Sequence, residues 1–262
     1  VNQLVWMLRQ TIRDTKPWVR FGLSPFGIYR NRGKGKRGSR TNGLQNYDDL
    51  YADVLLWMKK GWIDYCAPQL YWEIGHPLAD YGTLIKWWNG QTGAVPLYIG
   101  QDVARTMKAG QLDEKMRQSR LEKRVRGNIF WPANELLWNK GGVADSLRRF
   151  YHRYPALIPA YTELHDRKPD GVQRLRVEQT GQGRRLRWDV KPQQGLPDEP
   201  VYFVVYRFRK QEKVNLERAS AIYAITRNPF CAIPAGNTPY CYAVTAVDRF
   251  HNESAARKMR VK

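Results

Sequence analysis

A group of polar and aromatic residues follows a short apolar run in the stretch WIDYCAPQLYWEIG, from Trp62 to Gly75. The apolar run, residues 63–67, is typical of a buried parallel strand, and Gln69, Tyr71 and Trp72 come directly after it. A sugar site needs flat aromatic surface for a pyranose face and fixed amides for its hydroxyls, and ligands of parallel α/β folds bind where strands end. The spacing therefore predicts sugar contacts, although a strand that enters a loop with one packed tryptophan explains the same residue types equally well.

Carboxylates at predicted strand ends are the candidates for chemistry. Glycoside cleavage usually uses two carboxyl groups, about 5 to 5.5 Å apart in retaining enzymes and further apart in inverting ones. Glu73 is the candidate catalytic acid/base or hydroxyl ligand, and its alternative is a loop carboxylate that binds backbone or arginine. Asp102 ends a later strand. Asp64 begins its strand, and the start of a parallel strand is not where catalysis is expected.

Other side chains are expected to complete the wall of the cleft. Arg30 and Asn31 end the motif SPFGIYRN and are candidate substrate contacts, with loop-stabilising hydrogen bonds as the equal alternative. Gln101 and Trp131 end later strands and are weaker candidates of the same kind. The four histidines lack the spacing of metal ligands, and the sequence has no phosphate-binding or dinucleotide-binding motif. We therefore expect neither a metal nor a cofactor.

Helices and strands alternate four times before residue 160, and this alternation must position the candidates. The pattern predicts a parallel sheet with crossover helices. Four such units are half of an eight-fold βα barrel, which needs about 250 residues. We expect residues 1–165 to be the C-terminal half of a TIM-type barrel. The sheet edges left exposed by half a barrel predict pairing with a second copy of the chain. The expected elements are helices at 2–16, 47–60, 78–89 and 111–124, strands at 18–24, 63–67, 95–99 and 126–131, and a broken helical stretch at 134–151.

Residues 166–262 change to a β pattern, so the fold class is α/β plus all-β. Six short apolar runs separated by turn signals predict a β-sandwich. The run TPYCYAVTAVDRFHNES and the single tryptophan Trp188 resemble features of fibronectin type III domains. Cys231 and Cys241 either form a disulfide or remain two separate thiols. The expected strands are 172–179, 185–190, 201–209, 229–233, 240–247 and 256–261.

Several ordered motifs resemble the bacterial glycosyl hydrolase-like family ten. They are SPFGIYRN, the run from TNGLQNYDDL to QLYWEIG, ADYGTLIKWWN, LYIGQ and GNIFWPA, which together span roughly residues 1–160. The resemblance implies a barrel fold and an envelope protein that cleaves glycan strands, in particular those of peptidoglycan. Family members carry an earlier strand that ends in paired aspartates. The chain has no such strand, because Asp48 and Asp49 open a predicted helix, so the resemblance implies that the main catalytic carboxylates are absent.

Composition limits the remaining function classes. Hydrophobic residues make up 42% of the 262 residues, which excludes a disordered chain, and no apolar run is long enough to span a membrane. The net charge of +20 favours polyanionic surroundings. No nucleic-acid motif accompanies the charge, so specific nucleic-acid binding is not expected. Two hypotheses remain, a glycoside hydrolase of the bacterial envelope and a non-catalytic glycan- or polyanion-binding protein. The expected location is outside the cytoplasm, in the periplasm or at the outer membrane.

Overall fold

The chain forms two compact units, Val1–Arg153 and Tyr154–Lys262. The structure, a computed structural model, describes residues 1–33, 37–91, 95–191, 195, 197–235 and 238–261. The boundary lies earlier than the predicted one after residue 165. The reason is that the segment after Arg153 packs with the β unit. Leu157 contacts a core cluster of that unit, and the backbone N–H of Tyr161 donates to the carbonyl of Phe250 at 2.7 Å.

The first unit alternates helices and strands, as predicted. Its helices end in a broken helical stretch that continues through Leu147–Tyr151. The elements are α1 (Asn2–Thr15), β1 (Gly22–Leu23), α2 (Val54–Lys59), β2 (Tyr65–Cys66), α3 (Tyr81–Asn89), β3 (Leu97–Asp102), α4 (Val103–Lys108), α5 (Leu112–Leu121), β4 (Val125–Trp131), α6 (Ala133–Leu137) and α7 (Val143–Ser146).

Four parallel strands form one sheet in chain order, β1-β2-β3-β4. Single bridges between Phe26 and Gln69, and between Gln69 and Gly100, extend the short strands at their C-terminal ends. The observed class is therefore mixed α/β with a parallel sheet. Completion of this sheet into half of a TIM-type barrel, and pairing of two copies through its edges, stay predictions.

The two faces of this sheet differ. Cys66, Leu97 and Ile99 point into a core built with residues of α1, α2 and α3. The opposite face carries Tyr65 and Tyr98, whose rings meet edge to face with centroids 5.6 Å apart. Tyr65 lies flat over Gly22 of the neighbouring strand, where a Cβ atom would stand 2.1 Å from the ring. The absence of a side chain at Gly22 therefore allows the tyrosine to lie against the sheet.

Helix α2 is shorter than the predicted helix at 47–60. The backbone of Tyr51 has a positive φ of 54°, which a helix does not accommodate. The carboxylate of Asp53 then accepts a hydrogen bond from the N–H of Leu56 at 3.1 Å and caps the first turn. Local capping thus starts the helix seven residues later than the apolar spacing indicates. Helix α4 was missed by the sequence interpretation.

The second unit contains two antiparallel sheets, ordered β11-β10-β7-β8 and β5-β6-β9. Trp188 is buried and meets Phe203 edge to face between them. All six predicted strands are present, and β8 was missed. The assignment to the fibronectin type III family stays a prediction. The strands are β5 (Gln173–Thr180), β6 (Gly183–Asp189), β7 (Tyr202–Arg209), β8 (Ile222–Thr226), β9 (Phe230–Ala232), β10 (Tyr240–Val247) and β11 (Arg257–Val261).

The cysteines are free thiols in this structure. Cys231 lies on β9 and Cys241 on β10, in different sheets. This arrangement corresponds to the alternative of two separate thiols. Burial raises the pKa of the Cys66 thiol, which lies in the core of the first unit. Among the described residues, no helix is long and apolar enough to cross a bilayer.

Candidate functional site

The candidate site lies where the parallel strands end, around the segment that follows β2. The backbone N–H of Gln69 donates to the carbonyl of Pro25, and its side-chain amide donates to the carbonyl of Ser24 at 3.0 Å. These bonds tie the segment to the chain that leaves β1. On the other side, the N–H of Leu70 donates to the carbonyl of Gly100. Gln69 is therefore held between two strand ends by backbone pairing, and its amide is half-buried at their rim.

Tyr71 and Trp72 both lie close to neighbouring strand ends. The pKa of the Tyr71 phenol is raised by burial and by the carboxylate of Asp102, which brings a charge near its ring. Trp72 meets Phe26 edge to face at 5.4 Å. Its ring occupies the space beside Gly27, where a Cβ atom would lie 2.6 Å from it. Trp72 is thus fixed by packing and half-buried, as the alternative of a packed tryptophan requires, and its role as a sugar contact stays a prediction.

Arg30 is held inside its own loop. Its guanidinium donates twice to the carboxylate of Asp48, at 2.8 and 3.0 Å, and lies over the ring of Tyr47 at 4.2 Å. This bidentate pairing raises the already high pKa of Arg30. The loop follows the C-terminal end of β1, so Arg30 lies at the predicted end of the sheet. Its contacts, however, are those of the loop-stabilising alternative.

Asn31 is also bound within this loop. Its side-chain oxygen accepts hydrogen bonds from Thr41 Oγ1 at 3.0 Å and from the N–H of Gly43 at 3.2 Å. Its side-chain nitrogen donates to the carbonyl of Gly43 at 2.8 Å. Both the oxygen and the nitrogen of the Asn31 amide are therefore hydrogen-bonded within the loop, and these bonds stabilise its conformation.

Gln101 and Trp131, the two weaker candidates, have opposite environments. Gln101 is 1% exposed and lies on the side of β3 that faces the helices, where its amide donates to Tyr81 Oη and Asn128 Oδ1. A substrate at the strand ends does not reach it, so the structure does not bring Gln101 to the site. Trp131 ends β4, pairs in register with Asp102 and is 59% exposed. It offers the most accessible aromatic surface of the candidate residues.

The carboxylates differ in how they are engaged. Asp102 caps α4, because its Oδ1 accepts a hydrogen bond from the N–H of Arg105 at 2.8 Å. Glu73 follows Trp72, is half-buried, and its negative charge acts on the buried amine of Lys115. Asp64 lies at the other end of the sheet, where it accepts hydrogen bonds from Arg9 and Arg13 at 2.6 and 2.8 Å. Glu73 is therefore the strand-end carboxylate least used by the fold.

A buried lysine behind the strand ends was missed by the sequence interpretation. Lys115 on α5 is fully buried, its amine donates to Thr106 Oγ1 at 3.0 Å, and it lies over the ring of Tyr81 at 4.8 Å. Burial lowers its pKa to about 8, although the carboxylates of Glu73 and Asp102 oppose this effect. The helical spacing of Leu112, Lys115, Met116 and Ser119 places the lysine on the buried face of α5 and could have indicated it.

The described residues contain no cluster of side chains suited to binding a metal ion. No group of three or more histidine, cysteine, aspartate or glutamate side chains in the described ranges is placed to hold a metal ion. The site consists instead of aromatic rings, an amide and one half-buried carboxylate. Such a set binds sugars through stacking and hydrogen bonds.

Residues 1–117 match the family model Glycosyl hydrolase-like 10. The whole chain aligns at 36% identity with the glycosyl hydrolase YngK of Bacillus subtilis (strain 168), and the alignment spans 54% of that relative. The glycosyl hydrolase DigH of Escherichia coli (strain K12) is 45% identical over 101 residues, which are 38% of this chain and 23% of DigH. The chain therefore spans about half, or less, of these relatives.

A solved structure, the chitinase ChiA74 from Bacillus thuringiensis, superimposes with a TM-score of 0.34 at 12% identity. The superposition covers 99% of this chain and 54% of the chitinase chain.

Proposed function

We propose that this chain, whose residues 1–117 form a Glycosyl hydrolase-like 10 domain, supplies the sugar-binding wall of a glycoside hydrolase of the bacterial envelope. The observation that carries the proposal is the grouping of Gln69, Tyr71, Trp72 and Glu73 where parallel strands end, beside a domain match of the same class. Glycan strands of peptidoglycan are the proposed substrate, as the resemblance of the sequence motifs implies.

The wall is built for contact with a sugar ring. Trp131 presents an exposed indole, and Tyr71 carries a hydroxyl near Asp102. Gln69 adds an amide whose position is fixed by two neighbouring strand ends. Gln69 is bridged to both neighbouring strands and Trp131 ends β4, so the positions of these two side chains should change little when a ligand binds. Preorganised contacts of this kind reduce the entropy lost on binding.

We propose further that the 262-residue chain does not cleave glycans by itself. Cleavage needs two carboxyl groups on either side of the scissile bond. Asp102 is used to cap a helix, and Asp64 is bound by two arginines at the far end of the sheet. Glu73 is left as a single candidate. A single candidate does not supply the pair that cleavage needs.

A non-catalytic glycan- or polyanion-binding protein is the second candidate function. The engagement of Asp102 and Asp64 in the fold and the net charge of +20 both favour it. An envelope polymer that carries negative charge would be attracted by such a surface, and this supports a location outside the cytoplasm. Cleavage and binding assays on the same preparation separate the two functions.

The test uses the purified chain and peptide-free glycan strands of peptidoglycan. We expect binding without shortened products by mass spectrometry. Trp131→Ala should weaken binding about fivefold, since an exposed aromatic contact contributes on the order of 1 kcal/mol. Trp6→Ala is the matched control, because Trp6 is 44% exposed on α1, the helix that binds Asp64 at the other end of the sheet.

Two results would change the proposal. Robust cleavage that Glu73→Gln abolishes would show that the working carboxylates lie in this chain. Equal losses of binding in the Trp131 and Trp6 variants would show that the strand ends are not the sugar site.

A further inference from the structure

The second unit has a cleft that the sugar site of the first unit does not explain. Its volume is about 520 Å³, within the range of about 300–1,000 Å³ that small-molecule sites occupy. The cleft lies at the end of the four-stranded sheet. It is lined by Arg207, Arg209, Glu212, Arg218, Ser220, Ala221, Ile222, Tyr223 and Tyr240.

Two arginines dominate the charge of this cleft. Arg207 and Arg209 alternate with Phe208 on β7, so both point to the same side of the strand, about 7 Å apart along it. Among the described residues, no carboxylate lies within ion-pair distance of either guanidinium. Glu212 instead pairs with the side chain of Arg218 and accepts a hydrogen bond from the backbone N–H of Arg209 at 2.9 Å. The cleft therefore keeps a net positive charge.

Tyrosine rings hold one of these arginines in place. The guanidinium of Arg207 lies 4.5 Å from the ring centre of Tyr223 and 4.8 Å from that of Tyr240. Tyr223 is itself fixed, because its hydroxyl donates to the carbonyl of Ala232 at 3.2 Å. A guanidinium held between rings keeps its N–H groups oriented and charged, as recognition of a planar anion requires.

We propose that this cleft binds a saccharide that carries an anionic group. A carboxylate or phosphate lies between Arg207 and Arg209, and the sugar ring lies along Tyr240 with Ser220 as a hydroxyl partner. A cleft of this volume is larger than an isolated anion needs, and its largely polar lining suits a ligand that carries many hydroxyl groups. The proposal concerns Tyr154–Lys262 alone and does not depend on glycan cleavage or on the strand-end site.

The test is calorimetric titration of the full chain with tetragalacturonate. The fully methyl-esterified tetramer is the matched neutral probe, because it has the same backbone without charge. Galactose 6-phosphate replaces the carboxylate by a phosphate, and tetraglutamate carries carboxylates without sugar. We expect tetragalacturonate to bind at least tenfold more tightly than its ester and than tetraglutamate, with affinity that falls as salt rises.

Variants locate the binding. Arg209→Ala removes an exposed side chain and should weaken tetragalacturonate binding about tenfold or more, since charge-assisted hydrogen bonds are among the strongest. Arg260→Ala removes the same charge from the exposed surface of β11, where Arg260 pairs with Cys241 and faces away from Tyr242, and should leave binding unchanged. Far-ultraviolet circular dichroism and thermal unfolding check that each variant is folded.

Three outcomes would overturn the proposal. Equal affinity for tetragalacturonate and its methyl ester would show that the cleft does not recognise the anionic group. Equal losses of affinity in Arg209→Ala and Arg260→Ala would show that the overall charge of the chain, and not the cleft, attracts the ligand. Binding of tetraglutamate as tight as that of tetragalacturonate would identify an acidic peptide site. Tight binding of galactose 6-phosphate, weakened by Arg209→Ala, would support the site and identify phosphate as its anion.

Discussion

The buried amine of Lys115 makes the stability of the first unit depend on pH. The substitution Lys115→Met removes this contribution and so allows it to be measured. The pKa of the Lys115 amine is lowered from 10.5 to about 8 in the folded chain, first of all by burial. Between these two values the unfolded chain holds the proton more tightly than the folded chain. Protonation therefore disfavours folding, and the free energy of unfolding rises with pH across this interval. Below pH 8 the full cost of a buried charge applies.

The magnitude follows from the two pKa values. A difference of 2.5 between them corresponds to about 3 kcal/mol at pH 7, since each unit of pKa is worth about 1.4 kcal/mol. By pH 9.5 the remaining cost is about 1 kcal/mol. Lys115→Met keeps a flexible apolar chain and removes the charge. Relative to the wild type, it should gain stability at neutral pH and lose about 2 kcal/mol of that gain by pH 9.5.

The assay is urea unfolding at several pH values, followed by tryptophan fluorescence. Nine of the ten tryptophans lie before residue 154, so the signal reports mainly on the first unit. Lys108→Met removes a charge from the exposed part of α4 and serves as the matched control. The reasoning fails if the wild type and Lys115→Met show parallel dependence on pH, because the buried amine would then titrate at its ordinary pKa.

Two further predictions concern buried polar contacts in each unit. Asp64→Ala should destabilise the first unit by about 3–5 kcal/mol in urea unfolding, since it removes the buried carboxylate that accepts hydrogen bonds from Arg9, Arg13 and the backbone N–H of Phe21. Asp14→Ala on the exposed side of α1 should cost little. Tyr206→Phe should lower the free energy of unfolding of the second unit by about 1–3 kcal/mol, because Glu253 loses a hydrogen bond of 2.7 Å. Tyr202→Phe, which loses only a longer contact of 3.3 Å, should cost less, and equal losses would contradict the argument.

Apolar periodicity indicated the order of elements, because burial repeats at the helical or strand spacing. It predicted α1, the strand β2 and all but one strand of the second unit. It failed where local polar contacts decide the boundary. The cap at Asp53 and the positive φ of Tyr51 shortened α2, and neither leaves a mark in the spacing of apolar residues.

The positions of the candidate residues were predictable, but the contacts of each side chain were not. Gln69, Tyr71 and Trp72 lie where strands end, as their place after a strand of a parallel sheet predicts. The hydrogen bonds that bind Asn31 inside its loop depend on a turn that returns Gly43 to it, twelve residues later. Gln101 was predicted at the site from its position at the end of a strand. Strand alternation instead places its side chain on the helix-facing side, together with Leu97 and Ile99.

The packing of Tyr65 over Gly22 has a consequence for how this sequence can diverge. Gly22 lies in a strand and needs no unusual backbone angle, so its requirement for glycine comes from the ring of a residue 43 positions later. As long as a large ring lies on the sheet at position 65, any side chain at position 22 collides with it. Relatives that replace the tyrosine by a small residue are released from this constraint. The two positions should therefore change together in evolution, and position 22 should be variable only where position 65 is small.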